Sequence, residues 1–507
     1  MSDILNKKNK FETRYKGDYI DGIFKAPEFE SGSFNDVSPS DTSDILMNVV
    51  FGYDHVDEAC HIAKKAFLKW SRLTQPQRSE YLLKLKEVFI AHEEQMAECI
   101  SRDTGKPLWE AMTEAKALSQ KIDVTLQHSM KLVQTEIIQN ALPQVDGVIR
   151  YKARGVMAVV GPFNFPAHLP NGHIIPALAM GNTVVFKPSE QTPAVGQLYA
   201  ELIHKAGLPQ GVFNMVQGDG ECGRKLVINE DISGILFTGS YDVGLRIKQE
   251  TMTHYWKILA LEMGGKNATV VWEDADLDKA VYETLIGSFL TAGQRCSCTS
   301  RVILHDKIAE EFTERFYQAA KKISIGHWSE NVFMGPLING VAVEKYLRFQ
   351  EIAKRENCES LMRGKTLEMP HKGFYVTPSI YLVNGFNKES VYQKSEIFGP
   401  NVAIYKSNDF NEVMNIVNST GYGLVLALFS KNKSLYEEAV VQANVGLLNW
   451  NRTTNGASSR LPFGGTGKSG NDRPSAHFAI QYCTVPMANL EDPTPFDPSK
   501  VMPGLGF

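Results

Sequence analysis

The chain has 507 residues, too many for one ordinary hydrophobic core, and this length predicts two or more domains. Its 53 basic and 57 acidic residues give a formal net charge of −4, so neither nucleic acid nor an anionic membrane is an expected partner. Hydrophobic residues make up 43% of the chain, as in a globular enzyme, and no stretch approaches the roughly 20 apolar residues of a membrane span.

The first part of the chain predicts an arm followed by helices. Residues 1–45 are expected to be irregular, with one short hairpin over GDYIDGIF. The polar N-terminus has no apolar signal-peptide core, which predicts a cytoplasmic protein. Apolar residues recur at helical spacing from Val56 to Trp70. A second long helix is predicted from Pro76 to Arg102, and a third from Leu108 to about Gln134.

From Gly155 onward, short apolar runs alternate with helical segments. The expected strands are 156–160, 183–187, 212–216, 234–238 and 258–262. Helices are expected around 171–180, 193–206, 219–228 and 242–254. Continuous apolar strands separated by helices predict a doubly wound parallel sheet, in which ligands bind at the carboxyl ends of the strands.

A second alternating region extends from residue 263 to about 447. It begins with a strand over ATVVW, a helix over 279–290, a strand over RVILH and a helix over 307–322. This pattern predicts a second α/β unit. Near the C-terminus, FAIQYCTVPMANL alternates weakly and is compatible with a strand that joins a partner's sheet.

The seven cysteines are scattered and no secretory signal precedes them, so free thiols are expected rather than disulfides. Only Cys296 and Cys298 lie close together, and no matching metal ligands follow them. His168 and His173 are five residues apart, which does not place them on one helical face. The sequence therefore predicts no metal site.

Three residues stand where catalysis would need them. Asn164 lies between prolines in PFNFP, and its amide can donate to an oxygen that gains negative charge. Glu262 ends an apolar strand in LEMGGK, where a carboxylate can activate water. Cys296 ends GQRC, and its thiolate would be a strong nucleophile. Each has a structural alternative: a turn Asn, a capping Glu, or a buried apolar Cys, which is the interpretation given to Cys298.

Two further segments point to a nucleotide. Lys187 and Glu190, in KPSE, follow a strand and can bond ribose hydroxyls, although a solvated loop pair has the same letters. Gly239 and Ser240, in FTGS, precede Gly244 with the spacing G-x-x-x-x-G, which differs from the dinucleotide G-x-G-x-x-G. A glycine between a strand and a helix still permits close approach of a phosphate to the helix N-terminus.

In their order and spacing, these segments resemble the aldehyde dehydrogenase family from about residue 18 to 490, as do EIFGP at 396–400 and LPFGG at 461–465. The interval of 34 residues from Glu262 to Cys296 also matches that family. The resemblance implies an α/β fold, with a doubly wound parallel NAD-binding domain, an α/β catalytic domain and a small oligomerisation β unit. It also implies a homodimer or homotetramer. The implied boundaries are 18–137 and 154–262 for the NAD-binding domain, 263–447 for the catalytic domain, 448–474 for a return segment bordering the substrate funnel, and 138–153 and 475–507 for the oligomerisation segments.

The resemblance also implies an NAD-dependent oxidation of an aldehyde to a carboxylate. Cys296 would attack the aldehyde, Asn164 would hold the oxyanion, and Glu262 would activate the water that hydrolyses the thioester. The implied cofactor is NAD, because the charge of Glu190 would repel the 2′-phosphate of NADP. The implied cofactor-binding residues are Lys187, Glu190, Gly239, Ser240, Gly244, Glu396 and Phe398.

Segments at 167–178, 449–465 and 469–483 resemble one branch of that family, the succinylglutamate semialdehyde dehydrogenases of arginine catabolism. The substrate of that branch carries two carboxylates besides the aldehyde, and Arg suits carboxylates best. Two alternatives remain: a dehydrogenase of glutamate or succinate semialdehyde, and an inactive relative that serves as a structural or binding protein. The candidate substrate-binding residues, each otherwise a surface or interface Arg, are Arg295, Arg452, Arg460 and Arg473.

Overall fold

Strands from the N-terminal half build the first of two large sheets in the computed structural model, which describes residues 14–471 and 475–506. The strands of this half are β1 (Asp18–Ile20), β2 (Ile23–Lys25), β3 (Gly32–Ser38), β4 (Asp41–Phe51), β5 (Glu136–Leu142), β6 (Val145–Ala153), β7 (Val156–Val160), β8 (Thr183–Lys187), β9 (Phe213–Met215), β10 (Ile232–Thr238) and β11 (Ile258–Glu262). Its helices are α1 (Asp54–Trp70), α2 (Gln75–Ala91), α3 (Glu93–Thr104), α4 (Leu108–Gln127), α5 (His168–Ala179), α6 (Pro193–Ala206), α7 (Gly220–Ile228) and α8 (Tyr241–Glu250).

The first sheet has the strand order β11-β10-β7-β8-β9-β1-β2. The five strands from β11 to β9 pair in parallel, and the hairpin β1–β2 adds an antiparallel edge. Apolar clusters cover both faces, which is why the central strands are continuously apolar. The predicted doubly wound parallel sheet is therefore confirmed, with three strand ranges as expected and two that differ by up to two residues at an end.

Three predictions for the N-terminal half are wrong. The long helix expected from Pro76 to Arg102 is two helices, because the chain leaves helical geometry at His92, where φ is −121°. The ring Nδ1 of His92 lies 2.7 Å from the carbonyl oxygen of Val88 and competes for a helical acceptor. The arm expected to be irregular to residue 45 contains the β3–β4 hairpin, and α4 ends at Gln127, before a 3₁₀ turn at Ser129–Val133.

The second large sheet has the order β14-β15-β16-β13-β12-β18-β19 and is parallel except for its edge strand β14. A separate apolar cluster packs against it. The later strands are β12 (Asn267–Val271), β13 (Thr299–Leu304), β14 (Glu359–Met362), β15 (Ser379–Leu382), β16 (Asn401–Lys406), β17 (Tyr422–Gly423), β18 (Val425–Phe429), β19 (Leu447–Trp450), β20 (Pro462–Phe463), β21 (Thr466–Gly467), β22 (Ser475–Ala476) and β23 (Thr484–Glu491). The later helices are α9 (Leu277–Phe289), α10 (Asp306–Ala320), α11 (Gly340–Arg355), α12 (Val391–Lys394), α13 (Phe410–Asn418), α14 (Lys433–Gln442) and α15 (Ala479–Tyr482).

A small third sheet joins the hairpin β5–β6 to the C-terminal strand β23. The hairpin spans residues 136–153, close to the segment 138–153 expected in the oligomerisation unit, and β23 pairs antiparallel with β6 of its own chain. Ile137 and Leu490 of this sheet are 64% and 63% exposed. Within the described ranges, no helix combines the length and apolarity needed to cross a bilayer.

Candidate active site

A cleft of about 520 Å³ opens at the carboxyl edge of the first sheet. The ends of β7, β8, β10 and β11 all reach it, as expected for a ligand site in a parallel sheet. Residues of the second sheet's unit close its other side. The cleft brings together nine of the predicted site residues: Asn164, Lys187, Glu190, Gly239, Ser240, Glu262, Cys296, Glu396 and Phe398.

Cys296 follows a distorted turn between α9 and β13. Thr291 and Ala292 have φ values of +56° and +53°. This left-handed conformation is energetically unfavourable for any residue other than glycine. Asn267 Nδ2 donates to the Cys296 carbonyl at 2.7 Å, which holds the backbone of the half-buried cysteine. Burial, and then the negative charges of Glu262 and Glu396, raise the pKa of the Cys296 thiol well above its ordinary value.

Glu262 is the last residue of β11 and is 3% exposed. Its carbonyl accepts a hydrogen bond from Gly239 N at 3.0 Å, which joins the ends of β11 and β10. The Glu262 carboxylate acts electrostatically on the Cys296 thiol across the cleft. A carboxylate and a thiol facing one cleft can divide proton transfer and nucleophilic attack between them.

Asn164 lies on the loop between β7 and α5 and is 5% exposed. Its Nδ2 donates to the carbonyl of Gln294, two residues before Cys296, at 2.8 Å. An amide NH₂ has two N–H donors, so this bond leaves one for an oxyanion formed at the cysteine.

The glycines and the lysine at the far end of the cleft suit a dinucleotide. Lys187 Nζ donates to the Pro188 carbonyl at 3.0 Å and to Glu190 Oε2 at 3.2 Å. A Cβ on Gly220, at the start of α7, would meet nothing within 4 Å. The buried cation and the exposed carboxylate fit the ribose hydroxyls of a nicotinamide dinucleotide, and the space beside Gly220 lets it approach the backbone, although the Asp219 carboxylate caps α7.

Of the other predicted cofactor residues, Glu396 and Phe398 line the cleft and Gly244 does not. Glu396 Oε1 accepts from Gly265 N at 2.8 Å, and burial raises its pKa to about 6 against the opposing Gly265 N–H bond and nearby lysines. Phe398 has φ +59°, and its ring meets Phe163 edge to face at 5.8 Å. Gly244 lies in α8, where a Cβ would overlap Met263 Sδ, so close packing explains this glycine without contact to the cleft.

The three candidate arginines that the structure describes do not line the cleft. Arg295 donates through Nη2 to Glu110 Oε1 and through Nε to Thr291 Oγ1, each at 2.7 Å, so two of its five N–H donors are bonded within the protein. Arg452 is exposed, and Arg473 lies outside the described residues. Arg460 lines a second cavity of about 450 Å³.

The sequence analysis did not identify the buried charged side chains that bond to the loops of Asn164 and Cys296. Lys106, Glu110 and Glu114 are 3%, 0% and 2% exposed and contact the loops of Asn164 and Cys296. The letters TGKP that contain Lys106 are also an ordinary helix-ending cluster. A signal was present in the two glutamates one helical turn apart on an otherwise apolar face, but such a pair usually faces solvent.

The aldehyde dehydrogenase family model matches residues 27–487, and the chain therefore belongs to that family. The chain is accordingly a nicotinamide-dependent aldehyde oxidoreductase. The solved structure of 1-pyrroline-5-carboxylate dehydrogenase from Thermus with bound NAD superposes with a TM-score of 0.89 at 28% identity, covering 97% of this chain and 95% of that one. An NADP-dependent enzyme from E. coli superposes with a TM-score of 0.89 at 28% identity, covering 95% and 99%.

Curated relatives are more similar in sequence than these structures. N-succinylglutamate 5-semialdehyde dehydrogenase of Legionella pneumophila (strain Corby) is 41% identical over 455 residues, 89% of this chain and 90% of the relative. The enzyme of the same name from Serratia proteamaculans (strain 568) is 39% identical over 493 residues, 96% of this chain and 99% of the relative. The family match at residues 27–487 thus covers all of the second large sheet and most of the first.

Proposed function

We propose that the protein oxidises N-succinyl-L-glutamate 5-semialdehyde to N-succinyl-L-glutamate with NAD. The convergence of Cys296, Glu262 and Asn164 in one cleft carries the reaction type. The names of relatives at 39–41% identity, which span most of the chain, support this choice of aldehyde. Residues 18–137 and 154–262 would bind the cofactor, and residues 263–447 would contribute the nucleophile.

The first half of the proposed reaction joins the aldehyde to the cysteine. The Cys296 thiolate attacks the aldehyde carbon and forms a thiohemiacetal, whose oxyanion accepts from the Asn164 amide and the Cys296 backbone N–H. Bound NAD would supply the acceptor for the hydride of this carbon. Lys187, Glu190 and Glu396 would hold its ribose hydroxyls, and Phe398 would pack beside its nicotinamide end. Cys296 then carries the acyl group as a thioester.

The second half releases the acid. Glu262 takes a proton from a water molecule, and the resulting hydroxide attacks the thioester carbonyl, whose oxyanion again accepts from Asn164. The C–S bond breaks, the sulfur departs as the thiolate that begins the next cycle, and the carboxylic acid loses its proton to solvent and leaves as the carboxylate. The proton held by Glu262 passes to solvent.

The second cavity suits the carboxylates of this substrate. Arg460, Ser458 and Ser459 line one side of it, and His128 and His168 line another. Its acidic lining residue, Asp123, is bonded to Lys86 at 2.8 Å, so the cavity retains a positive character. Ser297 Oγ donates to Asn455 Oδ1 at 2.7 Å, which ties the loop bearing Arg460 to the residue after Cys296. Arg460 is therefore our candidate among the four arginines.

The substrate assignment is tested by NADH formation with four aldehydes at matched concentrations. We expect kcat/KM for N-succinylglutamate semialdehyde to exceed that for glutamate semialdehyde, succinate semialdehyde and propanal by about tenfold or more, the effect of one well-placed carboxylate contact. Preference for another semialdehyde would overturn the assignment and keep the dehydrogenase. No oxidation of any aldehyde with NAD or NADP would favour an inactive relative.

Replacing Arg460 by Gln is expected to raise KM for the succinylated substrate about tenfold to 100-fold, because a charged partner of a substrate carboxylate is lost. KM for propanal should stay the same, since propanal has no carboxylate. Arg452→Gln, an exposed neighbour on the same segment, is the matched control. An equal change for both aldehydes, or none, would remove Arg460 from substrate binding.

The preference for NAD is proposed to come from Glu190. Its carboxylate is 45% exposed beside the buried Lys187 and would repel a 2′-phosphate. We expect Glu190→Gln to raise kcat/KM with NADP about tenfold and to lower it with NAD. Glu250→Gln is the control, because Glu250 also lines the cleft but faces Arg224 at 3.6 Å. A similar change in cofactor preference in both variants would mean that it reflects the overall charge of the cleft and not a specific contact of Glu190.

We also propose that the enzyme is cytoplasmic and forms a homodimer or homotetramer. All seven cysteines are free thiols, which suits the reducing cytoplasm. The exposed apolar side chains of the third sheet, including Ile137 and Leu490, suit an interface in a homodimer or homotetramer formed through residues 138–153 and 475–507.

A further inference from the structure

Helix α4 runs behind the proposed catalytic centre and presents two buried carboxylates to it. Glu110 and Glu114 are four residues apart, so they lie one turn apart on the same face of the helix. They are 0% and 2% exposed. Each one bonds a different catalytic loop.

Glu110 bonds the loop of the nucleophile. Its Oε1 accepts from Arg295 Nη2 at 2.7 Å and from the hydroxyl of Thr291. Arg295 Nε donates to the same hydroxyl at 2.7 Å, which closes a ring of three side chains. Thr291 begins the left-handed segment before Cys296, and these bonds oppose its relaxation.

Glu114 bonds the loop of the oxyanion amide. Its Oε1 accepts from the backbone N–H groups of Ala167 at 3.0 Å and His168 at 3.1 Å. Its Oε2 accepts from Lys106 Nζ at 2.8 Å, and Lys106 Nζ also donates to the Asn164 carbonyl at 2.6 Å. The backbone at Asn164 is thus tied to this carboxylate through Lys106, and the backbone three and four residues later is tied to it directly.

Phe165 connects the two halves. Lys106 Nζ lies 4.2 Å and Arg295 Cζ 4.9 Å from the centroid of its ring, so a cation from each half contacts the same aromatic side chain. The bond from Asn164 Nδ2 to the Gln294 carbonyl joins the loops directly. A displacement of either carboxylate would therefore change the separation of the loops.

We propose that Lys106, Glu110, Glu114 and Arg295 are positioning residues that set the distance between the Cys296 sulfur and the Asn164 amide. The proposal rests on the catalytic roles proposed above for Cys296 and Asn164. A helix turn is a rigid spacer of about 5.4 Å, and a carboxylate at each end of it fixes one loop against the other. Arg295 thereby has a role without contacting substrate.

The test replaces each carboxylate by its isosteric amide and follows two readouts. The first is NAD reduction with propanal, which does not depend on the substrate assignment. The second is the rate at which iodoacetamide alkylates Cys296, followed by mass spectrometry. We expect Glu110→Gln and Glu114→Gln each to lower kcat about 30- to 100-fold, with KM changed less than threefold, because misplacement by about 1 Å costs on the order of 10²-fold.

The alkylation rate separates the two carboxylates. Glu110→Gln should change it about fivefold or more, because the loop of Cys296 is released, whereas Glu114→Gln should leave it nearly unchanged. In the double variant the loss of kcat should be smaller than the product of the single losses, since the carboxylates act as one unit. Arg295→Lys keeps the charge but loses the forked donor geometry. This variant replaces an amide variant that does not fold.

Asp18→Asn is the matched control, because Asp18 is fully buried and bonded to His55 and Gln217 but contacts neither loop. It should lose thermal stability and keep kcat. Equal kcat losses in this control, or unchanged kcat in both amide variants, would overturn the positioning role. If Cys296→Ala keeps its activity, the catalytic assignment itself has failed, and the two failures are thereby distinguished.

Discussion

Cys296→Ala is expected to lower kcat for aldehyde oxidation by about 10⁴-fold or more, because no covalent intermediate can form without the thiolate. The variant should still bind nicotinamide dinucleotide, since Lys187 and Glu396 remain. Steady-state NADH formation measures the first effect, and quenching of protein fluorescence by NADH measures the second. Loss of both would indicate a misfolded variant.

Cys298→Ala is the matched control. Cys298 lies two residues further on and is 7% exposed, and its sulfur is 3.8 Å from the Leu290 carbonyl, away from the cleft lining. We expect its kcat to stay within about threefold of the unmodified enzyme. If Cys298→Ala is inactive and Cys296→Ala is active, the nucleophile has been assigned to the wrong cysteine.

The same cysteine predicts the direction of the pH dependence. Burial and two nearby carboxylates raise the pKa of the Cys296 thiol, so the thiolate fraction is small at neutral pH and increases as pH rises. The rate of alkylation by iodoacetamide in the cofactor-free enzyme should therefore increase with pH beyond pH 8. A plateau below neutral pH would mean that another group stabilises the thiolate.

Glu262→Gln is expected to lower steady-state turnover about 10²- to 10⁴-fold, because the amide cannot take a proton from the hydrolytic water. Hydride transfer does not need this base once the thiolate is formed. Rapid mixing should therefore show a burst of NADH that approaches one equivalent per active site. Mass spectrometry of the quenched enzyme should then show the acyl group on Cys296.

Hydroxylamine provides the control for this variant. It attacks a thioester as a neutral amine without help from a general base, so it should restore turnover of Glu262→Gln and have little effect on the unmodified enzyme. A variant with neither a burst nor an acyl adduct would contradict a role restricted to hydrolysis. It would place Glu262 earlier, as the group that deprotonates Cys296.

Much of the first sheet and the centre of the cleft could be predicted because both depend on neighbours in sequence. The apolar runs at 156–160, 183–187 and 258–262 are strands with the expected ends. Glu262 is the last residue of a strand, and Asn164 and Cys296 lie within a few residues of one. The carboxyl edge of a parallel sheet brings such residues together.

The rest depended on contacts between residues far apart in the chain. A side-chain bond to the Val88 carbonyl interrupts a pattern that looks like one continuous helix, and β23 reaches β6 across more than 300 residues, so neither could be read from local periodicity. The same holds for the arginines, since nothing near Arg295 or Arg460 in sequence distinguishes an ion-paired guanidinium from one that lines a cavity.

The sequence by itself determined the family and the reaction class and indicated the candidate reactive residues, because reactivity and strand formation are properties of short segments. Tertiary structure decided which charged side chains line the cleft and which form ion pairs inside the protein. Arg295 pairs with Glu110, 185 residues away in the chain. Such pairing is required because an unpaired charge in a low-dielectric interior is strongly destabilising.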